Sequence, residues 1–318
     1  MLARIVFAAL LALPFFWRLG TEEFHGDESH WISSGQQGFY LFTAGHFSEA
    51  QWRDEFYFYS QPQVGKLLIG AALALGGRYG PTRIYDYDWQ RKPYENRAAG
   101  RVPPDDAVLA GRVPGAIAGW LSCLLLWAIA ATLGAPAAGP LAAALLASHP
   151  LWLANARRAG LDATSLCFGL LAAWAVLKAL RQGSHIAWWL LAGLALGLAA
   201  GDKYVGILPL ALAAPAAIAA GERSWRAAGR TLLGGSLALV LGGAVFFLAN
   251  PTLYRRPLYQ LRVSVDFLTA QAQEMRHDAP AFASPVFVAM EMFDRAVWPT
   301  GDPKIVDRTL PEPLTPGS

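Results

Sequence analysis

Two adjacent carboxylates flanked by two histidines stand in the run Phe24-His25-Gly26-Asp27-Glu28-Ser29-His30-Trp31. A carboxylate can take a proton from a hydroxyl, ligate a divalent cation or cap a helix. If a helix starts here, Asp27 stands at its N-cap, and the capping reading stays open beside the catalytic one. His25 and His30 are near enough to tune such a site or to join it. Asp27, Glu28 and His30 are therefore the candidate metal ligands, although two histidines five apart around two acids do not form a strong metal spacing.

Further charges interrupt otherwise apolar sequence. Lys66 follows Gln61-Pro62-x-x-Gly65, a turn that leads into an apolar stretch, where a lysine can also snorkel to the headgroups. Arg157-Arg158 precede Leu161-Asp162-Ala163, and an Arg–Asp pair closing that turn is the other reading. Lys203 follows Asp202, its nearest candidate ion-pair partner. Arg112 and Arg255-Arg256 complete the set, the latter pair also suited to anchoring the end of a span. Charges at the ends of membrane helices are costly unless paired, solvated or functional. Taken together, Lys66, Arg157, Arg158, Lys203 and Arg255 form a cationic group suited to a phosphate or pyrophosphate at headgroup depth, with carboxylates alongside. A substrate with a lipid tail and a phosphate head would reach them laterally through the membrane.

The elements that must position these residues are membrane helices. The chain has 318 residues, 54% hydrophobic and 15% charged, against about 25% charged in soluble domains. Its mean hydropathy is +0.31, and long charge-free runs alternate with charged connectors, the pattern of an all-α, polytopic membrane protein. A net charge of +3 and the lack of a basic tract interleaved with aromatics argue against a nucleic-acid partner. Cys123 and Cys167 lie inside apolar runs and suggest no disulfide framework.

Residues 2–20 read as an uncleaved first span ending at Trp17-Arg18. A long first loop, 21–109, holds a surface helix over 27–47, with Trp31, Phe39, Tyr40 and Phe42 as its apolar or interfacial contacts. It also holds an apolar piece after Lys66 that is too short to span, and the Tyr-, Asp-, Arg- and Pro-rich segment 78–109. Six more spans are predicted at 110–133, 137–156, 160–181, 185–201, 204–220 and 229–250. They are rich in Gly and Ala, as close-packed membrane helices are. Arg4, Lys178, Arg181, Arg223, Arg226 and Arg230 mark the cytoplasmic side. The Asp27-Glu28 loop, the turns at 155–162 and 201–204 and everything after Asn250 then face outward, which for a bacterial-type cell is the outer face of the inner (plasma) membrane. Leu258, Leu261, Val265, Leu268, Ala272 and Met275 predict an amphipathic helix over 257–275. A short helix is expected at 285–298 and a disordered tail from 299. The expected division is a membrane module at 1–255, an external helical segment at 256–298 and the tail at 299–318.

These residues resemble the GT-C superfamily of membrane glycosyltransferases, nearest its protein O-mannosyltransferase and lipid A aminoarabinose transferase group. Four features carry the resemblance: Asp27-Glu28-x-x-Trp31 after a single span, Gln61-Pro62-Gln63-Val64-Gly65-Lys66-Leu67-Leu68, Arg158-x-x-Leu161-Asp162, and Gly201-Asp202-Lys203-Tyr204-x-Gly206. Their order and spacing agree over roughly residues 1–255. The resemblance implies transfer of a sugar from a polyprenyl-phosphate donor to a protein, lipid or glycan acceptor outside the membrane. It implies Asp27 as base, Glu28 and Asp162 as orienting or metal-holding groups where a metal is used, and Lys66, Arg158 and Lys203 on the lipid phosphate. Gln61 stands where the family often has a first proline. Family members also continue with further helices, so a partner subunit completing the site is a second expectation. A non-catalytic subunit with a lipid-phosphate site is the alternative function. A transporter or flippase is a weaker one, because the ionisable residues gather at one surface rather than at the midplane.

Overall fold

The computed structural model describes residues 2–182, 185–207 and 225–278, and the side chains of all of these except 225–228 and 271–278. Every regular element among the described residues is helical. The chain divides into two units, Met1–Ala270 and Gln271–Ser318. The expected span at 204–220 falls outside the described residues but for a short 3-10 turn at 204–207, and the expected helix at 285–298 and the tail lie wholly outside them.

Helix α1, Leu2–Phe16, buries Leu11 and Phe15, packs Phe7 edge-on to Trp127 at 5.4 Å, and leaves Leu2, Ile5, Val6, Leu10, Leu13 and Phe16 exposed. Five helices follow in the first loop: α2 Gly26–Thr43, α3 Gln51–Asp54, α4 Phe56–Tyr59, α5 Val64–Leu75 and α6 Pro93–Ala98. The remaining helices are α7 Asp105–Thr132, α8 Ala138–Ser148, α9 Pro150–Ala156, α10 Asp162–Arg181, α11 Ile186–Asp202, α12 Trp225–Leu248 and α13 Pro257–Asp278. Four stretches are long and apolar enough to cross a membrane: Leu2–Thr21, Asp105–Thr132, Asp162–Arg181 and Gly229–Leu248. Val64–Leu75, Ala138–Ser148 and Ile186–Asp202 are shorter apolar helices.

Small residues set the packing. On α7, Gly111, Gly115, Ala118, Gly119 and Ser122 form a buried strip. A side chain at Gly115 would collide with the carbonyls of Ala156 and Arg158, at 2.8 and 2.9 Å, so the turn after α9 lies directly against α7. Helix α10 fits between α7 and α11, and α12 packs on α11. The expected single span at 137–156 is broken instead. His149 takes an extended backbone (φ −72°, ψ 115°) because Pro150 disfavours a helical residue before it, and its Nδ1 accepts from Trp152 N at 3.3 Å to start α9.

Helix α2 buries Glu28, Ser29, Ile32, Ser33, Ser34, Gly35, Gly38 and Leu41, because it crosses α5 at glycines. A Cβ on Gly35 would meet the Lys66 carbonyl at 2.8 Å, and one on Gly70 would strike the carbonyl of Gly35. On α13 Leu258 (82%) and Val265 are exposed and Leu261 and Leu268 half-buried, while Gln260 and Ser264 are buried. The Ser264 hydroxyl donates to the Tyr59 carbonyl at 2.7 Å, which fixes the polar side inward.

Candidate functional site

The run around Asp27 folds as a helix start, with the roles shifted by two residues from the expectation. His25, not Asp27, is the N-cap: its Nδ1 accepts from Asp27 N at 3.4 Å, and Glu28 Oε2 accepts from His25 N at 3.0 Å. Asp27 is thereby released from capping, its side chain 54% exposed and its carboxylate 3.6 Å from His25 Nδ1.

Glu28 is the hub of the junction. Arg112 Nε donates to its Oε1 and Arg112 Nη2 to its Oε2, both at 2.8 Å, and each side chain is 1% exposed. Ala159 N also donates to Oε1 at 2.9 Å. The remaining Arg112 donors reach the carbonyls of Leu19, Glu22 and Glu23. One buried pair therefore ties the end of the first span, the start of α2, helix α7 and the 157–161 turn together. Sequence reasoning placed Arg112 among the external charges without a role. Its signal was an arginine inside an apolar run, which requires a partner.

The cations of the expected phosphate group separate into engaged and free ones. Arg157 is held by Glu22 Oε2 at 2.7 Å and by the Pro14 carbonyl, stapling the turn to the end of α1. Lys66 is 0% exposed, and its Nζ donates to the carbonyls of Tyr57 (2.7 Å), Phe58 (3.1 Å) and Gln61 (2.9 Å), with the Trp31 ring 5.6 Å away. An ammonium has three donors, so Lys66 latches the 57–61 segment and has none left for a phosphate in this arrangement. Arg158 is half-buried, and its Nε has no hydrogen-bond partner among the described residues. Lys203 pairs with Asp162 at 2.5 Å rather than with its neighbour Asp202, and both members remain partly exposed. Arg255 is exposed and makes no ion pair with a described residue.

Asp202 is the residue that sequence reasoning treated only as a neighbour of Lys203. It ends α11 fully buried, with neither carboxylate oxygen hydrogen-bonded among the described residues. A side chain at Gly65 would run into its Oδ1, so the carboxylate lies against the first turn of α5, where helix N–H groups favour an anion. Asn250 seals the same end: its Oδ1 accepts from Gln63 N at 2.7 Å.

His30 lies one turn beyond Asp27 on α2, its imidazole packed edge-on to Tyr57 at 4.9 Å and 3.8 Å from Asp86 Oδ1. Burial lowers its pKa, against the pull of Asp27 and Asp86. Tyr57 donates to Asp86 at 3.1 Å, and its phenol is pushed up to about 12 by burial first, then by that hydrogen bond. The donor set does not fit a divalent cation as arranged. Both Glu28 oxygens are taken by the Arg112 guanidinium, and no three His, Cys, Asp or Glu side chains converge among the described residues.

Residues 105–247 match the family described as dolichyl-phosphate-mannose-protein mannosyltransferase. Among solved structures, the chain is similar to one from S. cerevisiae, the protein O-mannosyltransferase Pmt1–Pmt2 complex bound to the sugar donor. The TM-score is 0.57 at 17% identity, covering 81% of this chain and 34% of that one, so this chain spans about a third of its neighbour's length. No curated protein sequence matches the chain. The likeness gives the fold: a GT-C mannosyltransferase-like membrane protein.

Proposed function

We propose that the chain is a membrane glycosyltransferase that moves a sugar from a polyprenyl-phosphate donor to an acceptor at the outer membrane face, with the amino terminus cytoplasmic. The observation that carries this reading is the Glu28 hub. It mounts an exposed carboxylate, Asp27, and a turn carrying Arg158, whose Nε has no partner among the described residues, on one buried junction.

In this reading the acceptor hydroxyl gives its proton to Asp27 as its oxygen bonds to the anomeric carbon. The bond from that carbon to the lipid phosphate breaks, and the phosphate leaves with the electron pair. Arg158, with Lys203 oriented by Asp162 and Arg255 at the rim, stabilises the charge on the departing phosphate. Glu28 and Arg112 position Asp27 without touching substrate. Lys66 holds the 57–61 segment beside the site. The proposed step uses no metal: Glu28, a candidate ligand, has both oxygens taken by Arg112 and by the backbone N–H groups of His25 and Ala159.

The test is an in vitro assay of the purified full chain with a panel of polyprenyl-phosphate sugars, reading donor consumption by mass spectrometry. Asp27→Asn should lower transfer by at least about a hundredfold, the contribution typical of a positioned general base, with the yield of folded protein retained. Undiminished transfer by Asp27→Asn would overturn the assignment of the base. Wild-type protein that binds polyprenyl phosphate but transfers no sugar would replace the enzyme by a non-catalytic subunit.

A further inference from the structure

An exposed indole stands beside the proposed base. Trp89 is 59% exposed, yet its position is fixed. Its six-membered ring lies so close to Gly26 that an added Cβ there would meet Cη2 and Cζ2 at 2.8 Å. Gly26 is the residue before Asp27. His25, whose Nδ1 is 3.6 Å from the Asp27 carboxylate, packs edge-on to the indole with centroids 5.5 Å apart, and the buried Tyr87 supports it from another side at 5.2 Å.

The turn that carries Trp89 is braced by hydrogen bonds on both sides. Asp88 N donates to Asn96 Oδ1 and Asn96 Nδ2 to the Asp88 carbonyl, each at 2.9 Å, with Asn96 wholly buried. The Asp88 carboxylate accepts from Gln90 N and Arg91 Nε, each at 3.0 Å. Membrane-interface tryptophans need only reach the headgroups. A braced turn that lays an indole over the first turn of α2 holds the ring in a fixed place relative to one carboxylate.

We propose that Trp89 is the acceptor platform of this site and that the acceptor is a pyranose. The exposed indole stacks on the sugar ring and presents a ring hydroxyl to Asp27. The C–H groups of a pyranose face carry partial positive charge and suit the electron-rich face of an indole, the largest aromatic surface available. Asp27, next to the Gly26 that the indole overlies, offers an acceptor to the ring hydroxyls. The role of the bound sugar as acceptor rests on the glycosyltransferase reading above; the stacking itself does not.

The test therefore measures binding, not turnover. Purified full chain in phosphatidylcholine nanodiscs is studied by saturation-transfer difference NMR with methyl α-D-mannopyranoside, methyl α-D-glucopyranoside and a serine-containing peptide as separate probes. At least one pyranoside should receive saturation on its ring protons. Trp89→Leu should weaken that signal about fivefold, and Trp89→Phe should restore most of it, as expected for loss and partial return of one stacking pair. Leucine keeps the apolar bulk an interface anchor needs, and an unchanged unfolding midpoint confirms that the variant folds. Equal pyranoside signals in wild type and Trp89→Leu, no pyranoside signal at all, or a Trp89-dependent signal from the peptide alone would each overturn the proposal. A Trp89-dependent pyranoside signal in a protein that transfers no sugar would sink the enzyme reading and leave this one standing.

Discussion

Arg112 and Glu28, 84 residues apart in sequence, form a buried pair in which every hydrogen-bonding capacity is used. The five guanidinium N–H groups go to Glu28 twice and to the carbonyls of Leu19, Glu22 and Glu23. Each Glu28 oxygen accepts two bonds, one from Arg112 and one from a backbone N–H, that of Ala159 or of His25. Such a pair pays for its desolvation only when the geometry is complete, and losing one partner costs about 3–5 kcal/mol. Arg112→Lys cannot reproduce the planar fork and should behave almost as a deletion. The expected outcome is a large fall in denaturation midpoint for Arg112→Lys and Glu28→Ala. Arg97→Ala, which breaks the exposed Arg97–Asp105 pair, should shift stability by less than about 1 kcal/mol.

The crossing of α2 and α5 makes a prediction about glycine. A methyl group at Gly70 would strike the Gly35 carbonyl and Phe39 Cβ, and backbone cannot rotate away as a side-chain tip can. Gly70→Ala should therefore separate the two helices and cost about 1–3 kcal/mol or more, seen as lost folded yield after extraction. Gly235 on α12 has nothing within 4 Å of an added Cβ. Gly235→Ala should be neutral or stabilising by up to about 1 kcal/mol, through the helix propensity of alanine. Equal effects at the two positions would contradict the crossing geometry.

Much of this architecture is legible from local signals. Apolar runs, short connectors and Gly/Ala content give the membrane helices, and Asp27, Arg158, Asp162 and Lys203 mark the end of the bundle proposed for the chemistry. What the sequence conceals is the choice of partner. Asp202 and Lys203 are neighbours, and a local pair between them is the natural expectation. A helix end points adjacent side chains apart, so Lys203 crosses to Asp162 while Asp202 turns in toward Gly65. Likewise the 59–66 segment shows a turn and a lysine but not that the lysine folds back on the carbonyls of Tyr57, Phe58 and Gln61. The apolar spacing of α13 marks an amphipathic helix but not which side meets the protein, and the Tyr59 carbonyl selects the serine side.

His30 gives a pH dependence. Its ordinary pKa is 6.5, and burial lowers it in the folded protein. The neutral ring is the form the fold accommodates, so the contribution is fully present above about pH 6.5 and is lost as pH falls through the lower folded value. Wild-type protein should lose thermal stability between pH 7 and pH 5 more steeply than His30→Gln, followed by intrinsic fluorescence in detergent. Asp27 and Asp86 oppose the shift, so Asp86→Asn should steepen the acid loss further. A wild-type curve parallel to that of His30→Gln would show that the imidazole is not excluded from charge.

Lys66 and Lys203 both belong to the expected phosphate group, and their surroundings predict opposite behaviour. Lys66→Met removes a buried ammonium and leaves the Tyr57 carbonyl without its donor, while those of Phe58 and Gln61 keep Gln63 Nε2. A buried acceptor left unsatisfied costs about 1–3 kcal/mol, so this variant should unfold at a clearly lower midpoint than wild type. Lys203→Ala breaks a partly exposed pair with Asp162, worth no more than about 1 kcal/mol, and should fold normally. If Lys203 meets the lipid phosphate, its loss removes one charge-assisted hydrogen bond. Polyprenyl-phosphate affinity should then fall about tenfold, as read by native mass spectrometry. The reverse pattern, a stable Lys66→Met that no longer binds lipid phosphate beside an unaffected Lys203→Ala, would move the phosphate to Lys66. It would also require the 57–61 segment to release its lysine when donor arrives.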